Sequence, residues 1–157
     1  MMEVHGTTSG EGNEFARVKI LSSCEIESNW FTIEQMFLKE LKTWKRYWTL
    51  DRVKERLITS RWNFWAAKDS TGIFLGMITE VCMYETGKKD LVVHWLGGEE
   101  FKGLDNYFFI VEEWARLQGC DEIVTYCRPG VYRLMKKYGF KDRKYSITKP
   151  VTLYKEN

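Results

Sequence analysis

The feature that most constrains this chain is a helix–strand–helix pattern between Gly103 and Phe140. Residues 103–120 carry apolar side chains at helical spacing, and the stretch ends at Gly119, a residue that commonly follows a helix. A β-type run follows over residues 122–126, and a second helix-forming stretch over residues 131–138 stops at another glycine. The pattern predicts a long helix, a strand and a short helix packed in one α/β arrangement.

The residues before this pattern predict the remainder of a mixed sheet with helices. Apolar and basic residues alternate from Ala16 to Ile20, which predicts a strand, and an apolar stripe from Ile26 to Trp48 predicts one long helix. The other predicted elements are a helix from about Thr49, strands over 62–67, 73–83 and 91–96, and a last strand over 151–154. This order predicts an α/β (α+β) fold with a mixed central sheet of six to seven strands flanked by about four helices.

Length and composition predict one domain behind a loose leader. The chain has 157 residues, enough to bury a core. Residues 1–14 are rich in Gly, Ser, Thr and Glu and predict a flexible leader, which leaves 15–157 as a single domain. Because no apolar run approaches about 18 residues and the N-terminus lacks an apolar signal segment, we expect no membrane association and a cytoplasmic location.

The cysteines predict neither a metal site nor a redox motif. Cys24, Cys82, Cys120 and Cys127 include no C-x-x-C pair. The two histidines, His5 and His94, are too few to complete a zinc site with them. We therefore expect buried free thiols and no metal.

Two basic segments raise the question of a phosphate-bearing partner. Residues 128–149 hold eight basic residues and one acidic residue, which fits either an acidic partner or a solvated surface. Residues 42–62 interleave lysines and arginines with aromatic rings, a pattern that can stack bases. Since Trp44 and Trp48 belong to the apolar stripe, most of these rings should be buried, and the pattern disfavours nucleic-acid binding.

The order and spacing of these elements resemble the GNAT acyltransferase domain. The hairpin over residues 64–78, the helix end over residues 112–120 and Tyr138-Gly139-Phe140 carry the resemblance. It implies an acyl-CoA-dependent N-acyltransferase that uses acetyl-CoA to acetylate an amine on a small molecule or a protein. It also implies that the fourth and fifth core strands splay apart to admit the thioester.

A second implication of the resemblance stays open. The segment after Arg128 is also similar to small GNAT-like proteins of short-tailed bacteriophages, some of which are virion-associated. The alternative is therefore a non-catalytic GNAT-fold structural or binding protein, located in a host cytoplasm or a virion. A homo-oligomer or a protein partner is compatible with either reading.

The resemblance places cofactor binding after the fourth core strand, with departures from the family pattern. The family signature there is Arg or Gln, two residues, Gly, one residue, then Gly or Ala; with Gly103 on the first glycine, Glu100 and Asp105 take the other two positions. These carboxylates predict weak cofactor affinity, or a plain capped helix that binds no phosphate. The candidate cofactor-binding residues are Trp95, Leu96, Gly97, Gly98, Lys102, Gly103 and Leu104.

The candidate catalytic residues are His94 and Glu80, both on predicted central strands. An imidazole titrates in the range useful to a general base, and a carboxylate can serve the same role. The alternatives are a packed histidine and a solvent-exposed glutamate. In the family, a tyrosine four residues before the helix-ending glycine protonates the leaving thiolate. Here that position is Met135, which cannot donate a proton.

Overall fold

The computed structural model describes residues 3–5, 17–39, 48–99, 101–126, 129–142 and 149–150. The chain divides into two compact units, Met1–Cys127 and Arg128–Asn157. Among the described residues, the first unit contains the sheet and four helices, and the second contains one helix. Among the described residues, no helix combines the length and apolar character needed to cross a bilayer.

The first unit is built on a mixed sheet whose spatial order follows the sequence. Its six described strands are β1 (Glu3–His5), β2 (Arg17–Ile20), β3 (Asn63–Asp69), β4 (Gly72–Met83), β5 (Lys89–Gly98) and β6 (Glu122–Thr125). Strands β1 to β5 pair antiparallel, and β6 pairs parallel to β5. The α+β class and a sheet of six strands are confirmed, and the predicted strand over 151–154 lies outside the described residues.

Part of the predicted leader belongs to the sheet. Val4 is the register partner of Val18, and Glu3 and His5 pair with the residues on either side of it. The expectation of loose chain is therefore wrong for these three residues. The backbone groups at the free edge of β2 offer hydrogen bonds that composition does not reveal. Residues 1–2 and 6–16 lie outside the described part, where the leader stays a prediction.

Three helices cover one face of the sheet: α1 (Ser23–Ser28), α2 (Trp30–Leu38) and α3 (Leu50–Ile58). Ser22 and Glu25 form a capping box at the start of α1, and the Thr49 hydroxyl accepts from the Arg52 amide at the start of α3. The helix predicted from about Thr49 is thereby confirmed.

The single long helix predicted along the apolar stripe is wrong, because the chain breaks at Asn29. The Asn29 side-chain Nδ2 donates to the Glu25 carbonyl at 2.8 Å, and its backbone leaves helical geometry with φ −105° and ψ 8°. A short amide side chain competes for backbone partners in this way and ends a helix. Residues 40–47 lie outside the described part, and Trp48 precedes α3 rather than ending the stripe.

An aromatic core fills the space between these helices and the sheet. The Phe37 ring lies 4.5 Å from the Trp95 ring, between centroids, and Phe64 and Ile78 are fully buried beside them. Gly76 allows this packing, because a side chain there would clash with the Phe64 ring. The apolar stripe thus identified the buried face of α2 correctly, although it missed the break.

The opposite face of the sheet carries α4 (Leu104–Leu117). Trp65, the neighbour of Phe64 on β3, points to this face because strand side chains alternate. Its ring meets Trp114 edge-on at 5.3 Å, and its carbonyl accepts from the Tyr107 hydroxyl at 2.8 Å. Burial raises the pKa of Tyr107 well above its usual value, so this phenol stays protonated. The helix α5 (Pro129–Lys136) belongs to the second unit.

The three described cysteines are less buried than the sequence predicted. Cys24, Cys82 and Cys120 are free thiols, as expected, but Cys24 is exposed and the other two are half-buried. Desolvation raises the pKa values of Cys82 and Cys120, which keeps both as unreactive thiols at neutral pH. Within the described ranges, no three side chains of His, Cys, Asp or Glu group as metal ligands.

The turn between β3 and β4 is held by Asp69. Its carboxylate accepts from the Thr71 hydroxyl and amide and from the Lys102 ammonium at 3.1 Å. These donors, Thr71 first, lower the pKa of Asp69 to about 2. Because an unfolded aspartate titrates near about 3.9, the ionised carboxylate stabilises the fold above that pH. This contribution is lost as the pH falls from about 4 through about 2.

We expect Asp69→Asn to lower stability at pH 7 and to flatten the loss of stability between about pH 4 and pH 2. Urea unfolding at both ends of this pH window measures the effect. The control is Asp51→Asn, which makes the same charge change at an exposed residue of α3. An unchanged slope in Asp69→Asn would show that the turn does not depend on this carboxylate.

Candidate active site

A β-bulge places His94 at the centre of the sheet. Ile78 of β4 pairs with Trp95 of β5, whereas Thr79 pairs with Val93, so His94 is one extra residue on β5. Bulges redirect a side chain and increase the local twist, and they occur often beside active sites. The bulge therefore changes where the His94 ring points relative to a regular strand.

The bulge brings the two predicted catalytic residues together. His94 Nε2 donates to Glu80 Oε1 at 2.8 Å, and the two side chains are 23% and 29% exposed. The Trp62 ring stacks on the His94 ring with centroids 4.5 Å apart and an interplanar angle of 27°. His94 and Glu80 thus form one partly exposed pair, fixed in orientation by Trp62.

The pairing with Glu80 determines which imidazole nitrogen can accept a proton. An ionised carboxylate only accepts hydrogen bonds, so the proton of a neutral His94 must reside on Nε2. The Nδ1 lone pair is then the basic position. A carboxylate on the far nitrogen also stabilises the imidazolium that forms when Nδ1 takes up a proton.

The pairing of β5 with β6 ends beside this pair. Their parallel register covers Asp90 to Val93, where the Thr125 hydroxyl donates to the Val93 carbonyl at 3.3 Å. Beyond Val93, β5 has no strand partner on this edge among the described residues, because β6 ends at Thr125. The expected splay between the fourth and fifth core strands stays a prediction.

Residues 94–98 of β5 have no strand partner on the side of β6 in the part of the chain that the structure describes. The Glu99 amide donates to the Phe74 carbonyl of β4, and residues 95–98 are in regular antiparallel register with β4. Because antiparallel pairs alternate between bonded and unbonded residues, the Leu96 backbone N–H and C=O lie on the edge away from β4. This edge can bind an extended ligand as an added strand would.

The two glycines predicted to approach a cofactor have packing roles within β5. A side chain at Gly97 would clash with the Trp95 indole, and one at Gly98 would clash with the Phe74 backbone. Gly98 also has a φ of +157°. Close packing therefore accounts for both residues, and their part in cofactor binding stays a prediction. Trp95 is 3% exposed, so only its backbone could contact a ligand.

The cations near the predicted phosphate site are paired with carboxylates. Lys39 Nζ lies 2.7 Å from Glu99 Oε1, and Lys102 Nζ lies 3.1 Å from Asp69 Oδ2 and over the Phe74 ring. The lysine pairing lowers the pKa of Glu99. An arriving phosphate would compete with these carboxylates for the ammonium groups.

The N-terminus of α4 lacks the side-chain cap that the sequence offered as an alternative to a phosphate site. Gly103 is the N-cap residue with φ 65°, a left-handed conformation that suits glycine, and no described side chain caps the first turn. Asp105 is exposed and Leu104 directs its side chain into the core. The first-turn amides thus have no side-chain partner among the described residues, and Glu100 lies outside them.

A stacked group missed by the sequence analysis lies beside His94. The Arg56 guanidinium carbon lies 5.0 Å from the Trp48 ring centroid and 5.4 Å from that of Trp62. Only the basic–aromatic interleaving of residues 42–62 signalled this arrangement. Trp62 is 1% exposed and Trp48 is half-buried, whereas Trp44 and Tyr47 lie outside the described residues, so the expectation that most of these rings are buried is met for Trp62 and otherwise stays a prediction.

Met135 lies in α5, in the second unit, at the position the resemblance assigns to an acidic tyrosine. Its side chain is 2% exposed, consistent with a core residue. A buried thioether supplies no proton to a leaving group.

Comparison with known proteins identifies the fold. No family model and no curated protein matches the sequence. Among solved structures, a Bacillus halodurans protein matches with a TM-score of 0.66 and 10% identity over 85% of this chain and 99% of its own. An aminoglycoside acetyltransferase from an uncultured soil metagenomic sample matches with a TM-score of 0.61 and 12% identity, covering 90% and 95%.

A third neighbour is a ribosomal-protein-alanine N-acetyltransferase from Brucella melitensis biovar Abortus 2308. It matches with a TM-score of 0.62 and 10% identity over 86% of this chain and 99% of its own. The chain therefore has the GNAT fold found in acetyltransferases, as the sequence resemblance implied. At these identities the likeness defines the fold, and the chemistry depends on the site itself.

Proposed function

We propose that this protein is an acyl-CoA-dependent N-acyltransferase with His94 as its general base. The observation that carries the proposal is the position of the His94–Glu80 pair at the bulge, beside the point where the pairing of β5 with β6 ends. A base, an orienting carboxylate and an open backbone edge meet at one point. Structural neighbours that are acetyltransferases support the same class of reaction.

In this proposal His94 Nδ1 takes the proton that the acceptor amine loses as it attacks an acyl carbon. Glu80 holds the proton on Nε2 and stabilises the imidazolium, while Trp62 fixes the plane of the ring. The amine nitrogen forms the new C–N bond and the C–S bond breaks. The thiolate leaves without a donor from Met135, which a leaving group of modest pKa tolerates.

The open edge of β5 suits the acyl donor. Acetyl-CoA supplies the activated thioester when bound. The Leu96 amide, on the edge away from β4, can donate to an oxygen of an extended acyl chain, and backbone donors of this kind stabilise a developing oxyanion. The residues whose backbone would line this edge are Trp95, Leu96, Gly97 and Gly98.

The phosphate end of the donor would lie at the start of α4. The amides after Gly103 and the positive end of the helix dipole favour an anion there, whereas Asp105 opposes it. Lys102 could contribute only by giving up part of its pairing with Asp69. We therefore expect weak coenzyme A binding, with a Kd in the high micromolar range or above.

Removing the opposing charge should tighten coenzyme A binding. We expect Asp105→Asn to lower the Kd about fivefold, because one screened like charge costs about 1 kcal/mol at this range. Glu112→Gln on the exposed face of α4 makes the same charge change away from the first turn and should leave the Kd unchanged. Calorimetric titration measures both, and equal affinities would remove Asp105 from the site.

Incubation of the protein with acetyl-CoA and a panel of primary amines tests the proposed function. Mass spectrometry should detect acetylated amine, with one free thiol released per product. Cofactor binding without product for any amine, together with unaltered folding, would instead indicate a non-catalytic GNAT-fold protein.

A further inference from the structure

Arg56 is held beside the candidate base by two indole rings. It lies in the last turn of α3, and its carbonyl accepts from the Trp62 amide at 3.0 Å. Its guanidinium carbon is within 5.4 Å of the Trp62 ring centroid, and the His94 ring stacks on the same indole at 4.5 Å. Trp62 therefore contacts both the proposed base and a fixed cation.

Two polar atoms of this stack are donors without acceptors. Arg56 Nε and Trp62 Nε1 are both buried, and neither has a hydrogen-bond partner among the described residues. In the same part of the chain, Arg56 has no ion pair, whereas Arg52 one turn earlier is bound to Glu55 at 3.0 Å. The Glu80 carboxylate is already hydrogen-bonded to His94.

Buried donors without partners are costly in a folded protein and often mark the place of a ligand atom. Guanidinium N–H and indole N–H groups can only donate, so the missing partner must be an acceptor. A guanidinium prefers a carboxylate or phosphate oxygen over a neutral acceptor, since charge-assisted hydrogen bonds are stronger.

We propose that the acceptor substrate is an amine that also carries an oxyanion, and that Arg56 binds this oxyanion. The inference rests on the proposed function, because it places the amine nitrogen at His94. Because His94 and Arg56 both contact the Trp62 ring, the amine and the oxyanion of one small molecule can be proposed to bind to them at the same time. Arg56 then determines specificity and takes no part in proton transfer.

A series of ω-amino acids tests this proposal. We would measure kcat/KM with acetyl-CoA for β-alanine to 6-aminohexanoate, for alkylamines of matched length, and for aminoalkyl phosphonates. The wild-type protein should prefer the carboxylates over the matched alkylamines by about tenfold or more, the usual weight of a charge-assisted hydrogen bond. The chain length with the highest kcat/KM reports the span from base to cation, and the phosphonates show which oxyanion is preferred.

Arg56→Gln should abolish this preference, so that the carboxylates and the matched alkylamines react with similar kcat/KM. Arg52→Gln, on the same helix and paired in solvent, should retain it. Arg56→Lys keeps the charge and serves if Arg56→Gln fails to fold, with a reduced preference expected. A wild-type protein without preference for the carboxylates, or one whose preference survives Arg56→Gln, overturns the proposal.

Binding measurements without acetyl-CoA test the Arg56 site independently of the proposed acyltransferase activity. If no amine is acetylated, the acyltransferase assignment fails, and the Arg56 site is judged by titrating 6-aminohexanoate and hexylamine without acetyl-CoA. Binding of the carboxylate alone, lost in Arg56→Gln, supports an oxyanion site. Absence of binding, or equal binding of both compounds, contradicts it.

Discussion

Replacing His94 by glutamine is expected to lower kcat/KM for amine acetylation by about 10²–10⁴-fold, the usual contribution of a general base. Glutamine can still donate a hydrogen bond to Glu80, so the pair keeps its contact while losing the basic nitrogen. Steady-state rates with acetyl-CoA and the preferred amine measure the loss of kcat/KM.

Two further variants define the role of the His94–Glu80 pair. His5→Gln replaces the other histidine, which lies on edge strand β1, and should leave the rate unchanged. Glu80→Gln should cause a smaller loss than His94→Gln, since it removes the stabilising charge and keeps the base. A rate for His94→Gln within about threefold of wild type, in a folded protein, would remove His94 from the mechanism.

Replacing Phe37 by alanine is expected to destabilise the fold by about 3–5 kcal/mol, the cost of deleting a buried aromatic ring. Phe37 is 3% exposed, and its ring contacts Trp95 across the interface between α2 and the sheet. The lost ring leaves a cavity beside β5, where the site is built. Denaturant unfolding gives the free energy directly.

Phe31 provides the matched control for this experiment. It lies on the same helix but is 75% exposed, so Phe31→Ala should change the free energy of unfolding by less than about 1 kcal/mol. Similar costs for both variants would show that α2 presents a different face to the sheet. The apolar stripe placed Phe37 inside correctly, although the break at Asn29 could not be read from spacing.

Strands β2 to β6 were predictable because each has its own local signal, whereas β1 lies in a segment predicted as loose chain. The Asp69–Gly72 segment carries turn chemistry, and the alternating or continuous apolar runs on either side predict β3 and β4 within one or two residues. The break at Asn29 escaped prediction because the apolar stripe continues through it. A single side-chain hydrogen bond to the Glu25 carbonyl decides between the two outcomes.

The residues of the candidate site could be proposed from the sequence, but their arrangement could not. His94 and Glu80 were each candidates, yet their contact depends on the bulge that shifts the register at Ile78 and Thr79. A one-residue change of register moves every side chain to the other face of a strand, and sequence spacing does not specify it. The Arg56 stack likewise depends on how α3 packs against Trp62.

The backbone amide of Leu96 offers the most direct test of the proposed thioester site. In a ¹⁵N-labelled protein, we expect added coenzyme A to shift the amide resonances of His94 and Leu96, on the edge where β5 leaves β6, and those that follow Gly103 at the start of α4. Acetyl-CoA should shift the same set. A ligand that leaves Leu96 unshifted, or that shifts only residues far from this edge, would contradict a thioester site on β5 beyond the end of its pairing with β6.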